Sequence, residues 1–278
     1  MDSAQIWFIT GANRGLGLAL TRAALDAGHR VAATTRSGEI PLDHDRLWTC
    51  RLDVRDREAC RRAVRRAAEQ LGPVDVLVNN AGYGLVGAVE EVGEQEARAI
   101  LDTDLMGAMW LSQAVLPSMR ARQHGHILQI SSVGGAGAMA FFGLYNAAKW
   151  GLEGFSEALA AEVAPAGIRV SLAQIGAMDT AWGTGSMRFA QPAPAYDELR
   201  RQTLGTASVP WETEEGVTGG GTDPVEIARQ LLRHVADASD DRLRLILGED
   251  APGQLAEVMR RRDADYRRDP RYALAADR

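Results

Sequence analysis

The sequence predicts an α/β fold, a single doubly wound parallel sheet with helices on both faces. Three observations carry that expectation. Short apolar runs alternate with longer segments of helical period along most of the chain, and a repeated strand, helix, strand order implies parallel strands joined by right-handed crossovers. The first apolar run leads straight into a glycine-rich turn, TGANRGLG. With 46% apolar and 24% charged residues over 278 positions, the chain can fill one large core.

Taken in order, IWFIT from Ile6 forms the first strand and Leu16–Ala27 the first helix. RVAATT and LWTCRL are the next strands, followed by a helix over Arg57–Leu71 for which Asp56 is a better N-cap than Asp53. VDVLVNN precedes a helix over Glu94–Met119, and HILQIS precedes one over Leu144–Val163. The uncharged run Ile127–Ala148 is broken by glycine, serine, glutamine and asparagine. Buried strand, loop and helix start therefore account for it better than a membrane span. IRVSLAQ and LRLIL are the last strands. Between them a helix is announced by Asp223 as N-cap and Pro224 at its first position, with Glu226 placed to complete an acidic capping box.

Two segments leave this rhythm. Residues 176–222 lack strong periodicity yet carry Trp182, Phe189, Tyr196 and Trp211, as expected of a lid over a substrate. Those aromatic side chains suit a ring-bearing ligand, a local core or a subunit contact about equally. Residues 251–278 read as a charged helical extension. The division expected is a dinucleotide-binding catalytic domain over 1–250, with the lid inside it, and the extension after it.

Charge narrows the function. The 31 basic and 37 acidic residues give a net charge of −6, which argues against nucleic acid or an anionic membrane as partner. In the run MRRRDADYRRDPRY the arginines alternate with aspartates, the pattern of a solvated helix. Cys50 and Cys60 are the only cysteines and have no histidine at metal-ligand spacing, so no metal site is expected and a reducing cytoplasm fits. IWFIT begins too early to leave room for a secretion leader; a cytoplasmic location is expected.

Chemistry gathers at the strand ends. Gly11, Gly15 and Gly17 sit at the first strand-to-helix turn, where glycine permits close backbone approach and the helix start offers N–H groups to a phosphate. The spacing differs from G-x-G-x-x-G, so alone it is a weak sign. Arg36 ends the second strand, where an acid would select NAD, and Arg14 lies in the glycine turn. Two cations there suit a 2′-phosphate. Asp53 follows the third strand and could accept from an adenine amino group. NNAG, ending at Gly82, closes the fourth strand with small residues that let a ligand cross. Ser132 ends the fifth. Tyr145 and Lys149 follow it four residues apart, which on a helix brings Cβ atoms to roughly 5–6 Å. An ammonium so close is expected to lower the phenol pKa.

TGANRGLG, NNAG, Ser132 and YNAAK, in that order over residues 5 to about 250, resemble the short-chain dehydrogenase/reductase family. The resemblance implies a Rossmann-type sheet, NADPH/NADP+ as cofactor, and a reductase acting on the carbonyl of a bulky, largely apolar small molecule. It makes Tyr145 the general acid/base, Ser132 the hydrogen-bond partner of the substrate oxygen, and Lys149 the residue that holds the ribose and lowers the tyrosine pKa. Cofactor contacts fall to Gly11, Arg14, Gly15, Leu16 and Gly17, to Arg36, Asp53 and Val54, and to Asn80, Ala81 and Gly82. Tyr145, Lys149 and Gly176 complete that set. Two positions depart from the family pattern: Asp104 replaces an asparagine of the proton relay, and Ile175 with Gly176 replaces Pro-Gly beside the nicotinamide. These departures keep a redox-neutral epimerase or cyclase, and a non-catalytic NADPH-binding sensor, as alternatives. The family pairs its two long central helices, which implies a homodimer or homotetramer.

Overall fold

The computed structural model describes residues 4–180, 185–211 and 220–276. Within them β1 (Ile6–Thr10) is buried along its whole length, as a central strand covered on both faces must be. Its side chains alternate, Phe8 joining one apolar layer while Trp7 and Ile9 join the other. The glycine turn leads into α1 (Gly15–Asp26), which returns the chain to β2 (Arg30–Thr35), and β3 (Leu47–Arg51) forms the sheet edge. α2 (Arg57–Leu71) is capped by Asp56, whose Oδ1 accepts the Ala59 N–H at 2.8 Å.

β4 (Val76–Asn79) pairs with β1 on the side opposite β2. The strand order reverses there, which opens a crevice beyond the carboxyl ends of β1 and β4. β5 (Leu85–Val86) leaves the main sheet. The helix expected over Glu94–Met119 is divided: α3 (Glu94–Leu101) enters a π-turn at Asp102–Met106, and α4 (Gly107–Arg122) continues from it. In that turn the Gly107 N–H reaches back to the Asp102 carbonyl. One extra residue in a helical turn leaves the apolar period almost unchanged, so the sequence pattern did not show it. Such turns gather at functional sites.

β6 (Gly125–Ile130), α5 (Gly143–Val163) and β7 (Ile168–Ile175) form the next crossover unit. The segment read as irregular carries structure of its own: β8 (Arg188–Phe189) pairs in parallel with β5, and α6 (Asp197–Leu204) follows a short 3₁₀ turn. α7 (Pro224–Ala236) starts as expected, with Asp223 accepting the Val225 N–H at 2.8 Å. The capping box does not close, because Glu226 instead accepts from Gln230 at 3.1 Å. β9 (Arg244–Leu247), α8 (Ala251–Tyr266) and α9 (Pro270–Ala276) end the described chain. The main sheet has seven parallel strands in the order β3-β2-β1-β4-β6-β7-β9. α2, α4 and α5 cover one face, and α1 and α7 the other. Each buried leucine or isoleucine in these layers contributes about 1.5–3 kcal/mol. Among the described residues no helix is long and apolar enough to cross a membrane.

The segment between β7 and α7 has its own small core, shared with β5 and Phe141. Val86, Ala88 and Phe141 are enclosed by Met187, Phe189, Tyr196, Leu204 and Trp211. A buried ion pair fastens it: Arg200 on α6 meets Glu91 at 2.8 Å, both side chains almost wholly inaccessible. The Arg200 guanidinium also lies 5.7 Å from the Phe141 ring centre.

A second buried network lies toward the amino ends of β6 and β9. His126 Nε2 is 2.9 Å from Ser171 Oγ, which is 2.8 Å from His234 Nε2, and His234 Nδ1 is 2.7 Å from Asp240 Oδ2. Asp240 is an acceptor bound to Arg242 at 2.7 Å. His234 therefore donates from Nδ1, Ser171 donates to His234, and His126 donates to Ser171. That leaves His126 Nδ1 as a bare lone pair, and it is a buried nitrogen without a partner. Ser171 is 1% exposed, so this serine, histidine, aspartate row ties elements together and meets no substrate.

Candidate active site

The crevice is shaped first by glycine. Gly11 has φ +65°, and a Cβ on Gly17 would stand 2.3 Å from the Gly11 carbonyl oxygen. Neither position accepts a side chain. The end of β1 is laced to that of β4: Thr10 Oγ1 accepts the Asn80 and Ala81 N–H groups at 2.9 Å each, and Asn80 Nδ2 donates to the Thr10 carbonyl at 2.8 Å. Asn80 thus turns its amide onto the protein backbone. Arg14 occupies the N-cap position of α1 without capping it, and donates instead to the Gly185 carbonyl at 3.1 Å.

A cavity of about 1090 Å³ opens from this turn. Every site residue expected from the sequence borders it, from Gly11, Arg14, Gly15, Leu16 and Gly17 through Arg36, Asp53, Val54, Asn80, Ala81, Gly82 and Asp104 to Ser132, Tyr145, Lys149 and Gly176. The glycine cradle, the uncapped start of α1 and the exposed Arg36 fit a dinucleotide phosphate in charge and space. Thr35 Oγ1 accepts the Gly38 N–H at 2.8 Å and so shapes the turn that presents Arg36. Asp53 grips Arg55 at 2.6 Å, and that hydrogen bond holds its carboxyl below the usual range.

Ser132, Tyr145 and Lys149 meet on one wall. Ser132 Oγ accepts the Gly134 N–H at 3.1 Å, leaving its proton free to donate. Lys149 Nζ donates to the Ile130 carbonyl at 3.0 Å and lies 5.8 Å from the Tyr145 ring centre. The lowered phenol pKa expected from this spacing is not found. Burial pushes the Tyr145 hydroxyl up, and the opposing pull of Lys149 and a Ser132 hydrogen bond does not cancel it, while the Asp104 charge adds to the rise.

Asp104 is placed by the π-turn. Its Oδ1 accepts the Tyr83 N–H at 3.1 Å, and its Oδ2 stands 3.4 Å from Lys149 Nζ. The second contact is an ion pair without hydrogen-bond alignment. Burial pushes the carboxyl pKa up to about 6, against the pull of Lys149 and the Tyr83 N–H. A Cβ on Gly82 would come within 2.7 Å of Oδ2, so Gly82 makes room for this carboxylate.

Other contributors were not foreseen. Ser131 donates to buried Glu153 at 2.5 Å, and Arg244 donates to the same carboxylate at 2.9 Å, fixing the strand end beside Ser132. Glu153 is one turn beyond Lys149 on the same helix face, so the four-residue spacing already pointed to it. Asp250 accepts the Ala177 N–H at 3.0 Å, and a Cβ on Gly176 would lie 2.1 Å from its Oδ1. α8 brings Gln254 and Val258 to the wall and is pinned by Arg262, which donates to the Ala136 carbonyl at 2.5 Å and covers the Trp150 ring. The extension expected over 251–278 thus reaches the cavity through Gln254 and Val258, while the arginine-rich run that follows them is largely exposed. Of the aromatics in the segment expected to form a lid, Phe189, Tyr196 and Trp211 pack in the small core around Phe141 and not on the cavity; Trp182 lies outside the described residues. Cys60 is buried with its thiol pushed up to about 12, too high for a nucleophile.

Sheet and crevice are those of a doubly wound α/β protein that takes its ligand where the strand order reverses. Residues 5–188 match the family model described as short chain dehydrogenase. Over 95% of its length the chain is 36% identical to Oxidoreductase BOA17 of Botryotinia fuckeliana, 97% of which is covered. A short-chain dehydrogenase from Streptomyces avermitilis matches with TM-score 0.85 and 35% identity, over 98% of this chain and 100% of that one. An alcohol dehydrogenase from the archaeon Thermococcus sibiricus, complexed with 5-hydroxy-NADP, matches with TM-score 0.69 and 25% identity over 88% and 97%. The chain belongs to the short-chain dehydrogenase family, oxidoreductases that bind a nicotinamide cofactor and act on small molecules.

Proposed function

We propose that the protein is an NADPH-dependent reductase of a bulky, largely apolar carbonyl compound, with Tyr145 as general acid. The observation that carries this reading is the meeting of Ser132, Tyr145 and Lys149 on one wall of a cavity that Arg14 and Arg36 border elsewhere. When bound, the cofactor supplies hydride to the carbonyl carbon. Tyr145 gives its proton to the oxygen as negative charge develops there, and Ser132 donates a hydrogen bond to the same oxygen. Lys149 holds the ribose, and its ammonium favours the tyrosinate left behind. Arg14 and Arg36 take the 2′-phosphate, while Asp53 and Val54 meet the adenine and the Asn80–Gly82 turn the ribose. Gly176 lies beside the nicotinamide. The NADP derivative bound by the Thermococcus relative supports the choice of cofactor.

Val133, Met139, Phe142, Met187 and Val258 add apolar surface to the remaining wall, which suits a substrate with a large hydrocarbon body. Residues 1–250 form the catalytic unit in this reading, and 251–278 an extension whose first helix completes the wall. The protein works in the cytoplasm as a homodimer or homotetramer paired through α4 and α5. A second reading, a redox-neutral epimerase or cyclase, is kept by the two departures beside the nicotinamide end, Asp104 paired with Lys149 at 3.4 Å and Ile175 before Gly176. Purified protein mixed with NADPH and a ketone panel separates the readings by cofactor absorbance and product mass. NADPH oxidation with alcohol formation is expected, and Tyr145→Phe should abolish it while NADPH still binds. Binding without oxidation of any ketone would move the choice to the redox-neutral or sensor reading.

A further inference from the structure

Arg188 is aimed at the cavity by a strand with little freedom. Arg188 and Phe189 stand opposite Leu85 and Val86, and the flanking backbone is fixed by bonds from the Arg188 N–H to the Gly84 carbonyl and from the Ala190 N–H to the Val86 carbonyl, each 2.8 Å. Neighbouring side chains on a strand point to opposite faces. Phe189 turns into the small core around Phe141, 4.7 Å from the Trp211 ring centre, and Arg188 falls on the cavity wall. There its guanidinium rests over the Tyr83 ring, 4.8 Å from the centre. Among the described residues no carboxylate pairs with it and its side chain makes no hydrogen bond. An arginine carries N–H donors in a planar fork, and here the fork belongs to an exposed residue that lines the cavity.

Neighbouring charges sharpen the point. Tyr83 feels the positive fields of Arg188, Arg55 and Arg36. Two nearby acids are already engaged, Asp53 with Arg55 at 2.6 Å and Asp104 with Lys149 at 3.4 Å. A gathering of cations in one cavity of a chain with net charge −6 calls for an anion.

We propose that Arg188, on a platform of Tyr83, is an anion-receiving site that grips a phosphate or carboxylate with its fork. The anion belongs either to the cofactor's phosphates or to an acidic group on the carbonyl substrate. Both branches rest on the reductase reading; anion binding itself does not.

Inorganic pyrophosphate is the direct probe. It should raise the melting temperature of the wild-type protein, raise that of Arg188→Lys less, and raise that of Arg188→Ala least, any remainder coming from the glycine cradle and Arg36. Calorimetric titration with NADP+ and NAD+ then assigns the source. In the cofactor branch Arg188→Ala weakens NADP+ by about tenfold or more, and Tyr83→Leu weakens it in the same direction. In the substrate branch NADP+ affinity is unchanged, while KM rises for a keto acid and not for a neutral ketone. Equal pyrophosphate protection in wild type and Arg188→Ala, with NADP+ affinity and keto-acid KM both unchanged, overturns the proposal. A protein that binds no nucleotide yet loses pyrophosphate protection in Arg188→Ala would end the reductase reading and leave the anion site standing.

Discussion

At Asp104 a carboxylate oxygen stands where an amide nitrogen would offer Lys149 a donor in place of a counter-charge. Either side chain can accept the Tyr83 N–H; only the carboxylate pairs with the ammonium 3.4 Å away. Removing a negative charge lowers the pKa of a nearby phenol. Asp104→Asn should therefore shift the alkaline limb of the pH–rate profile to lower pH and remove an inflection near pH 6, where the aspartate titrates. The change in kcat should stay within about tenfold, roughly 1.4 kcal/mol. A profile identical to wild type would place Asp104 outside the relay. Arg36 is tested by cofactor choice: Arg36→Ala should weaken NADPH by about 1.5–3 kcal/mol with little effect on NADH, as for loss of a charge-assisted hydrogen bond. Equal loss for both cofactors rejects that role. Tyr145, Lys149 and the glycine turn were legible in the sequence because local spacing defines them. Asp250 and Tyr83 were not, since their places depend on contacts between distant segments.

Elements decide where such residues stand. The π-turn at Asp102–Met106 carries Asp104 to Lys149, and β8 carries Arg188 to Tyr83. Neither element leaves a strong periodic trace: the first inserts one residue in a helix, and the second is two residues long. α6 was missed because its short, charged stretch has only Arg200 as a buried position, and an arginine does not advertise burial. That arginine anchors the small core around Phe141. Arg200→Met leaves the Glu91 carboxylate enclosed without its cation, and should cost about 3–5 kcal/mol in urea unfolding. The double variant Glu91→Gln/Arg200→Met removes the stranded charge and keeps an acceptor for one of the Ala88 and Ala193 N–H groups, which Glu91 accepts on separate oxygens, and should recover part of the loss. A double variant no more stable than the single one would show that stranded charge is not the cause.

For the whole molecule, the alternation of apolar runs and helical segments made the sheet legible, and the reversal between β2 and β4 follows from right-handed crossovers. What the pattern could not carry is the polar interior. His126 is held well below its usual pKa of 6.5, first by burial and then by Arg169 and His234, with His124 adding and Asp240 opposing. A depressed histidine pKa means that the unfolded chain binds the extra proton, so stability is complete above about pH 6.5 and falls as pH drops below it. Asp104 works the other way: its raised pKa makes the folded state take up a proton as pH falls through about 6. A neutral substitute isolates the first effect. His126→Gln can still donate to Ser171, and its unfolding free energy should fall less than wild type between pH 7.5 and pH 5.5. An equal fall in both proteins would remove His126 as the source.

α8 reaches the cavity only after β9 has joined the sheet. In a chain leaving the ribosome, amino-terminal elements become available first. The glycine turn and the tyrosine helix can therefore assemble while Gln254 and Val258 are still to be made. A nascent chain at that stage has the glycine turn and Tyr145 without the wall that α8 supplies. Gln254 and Val258 are the last lining residues to be synthesised, so the cavity is closed on that side only when the chain is almost finished.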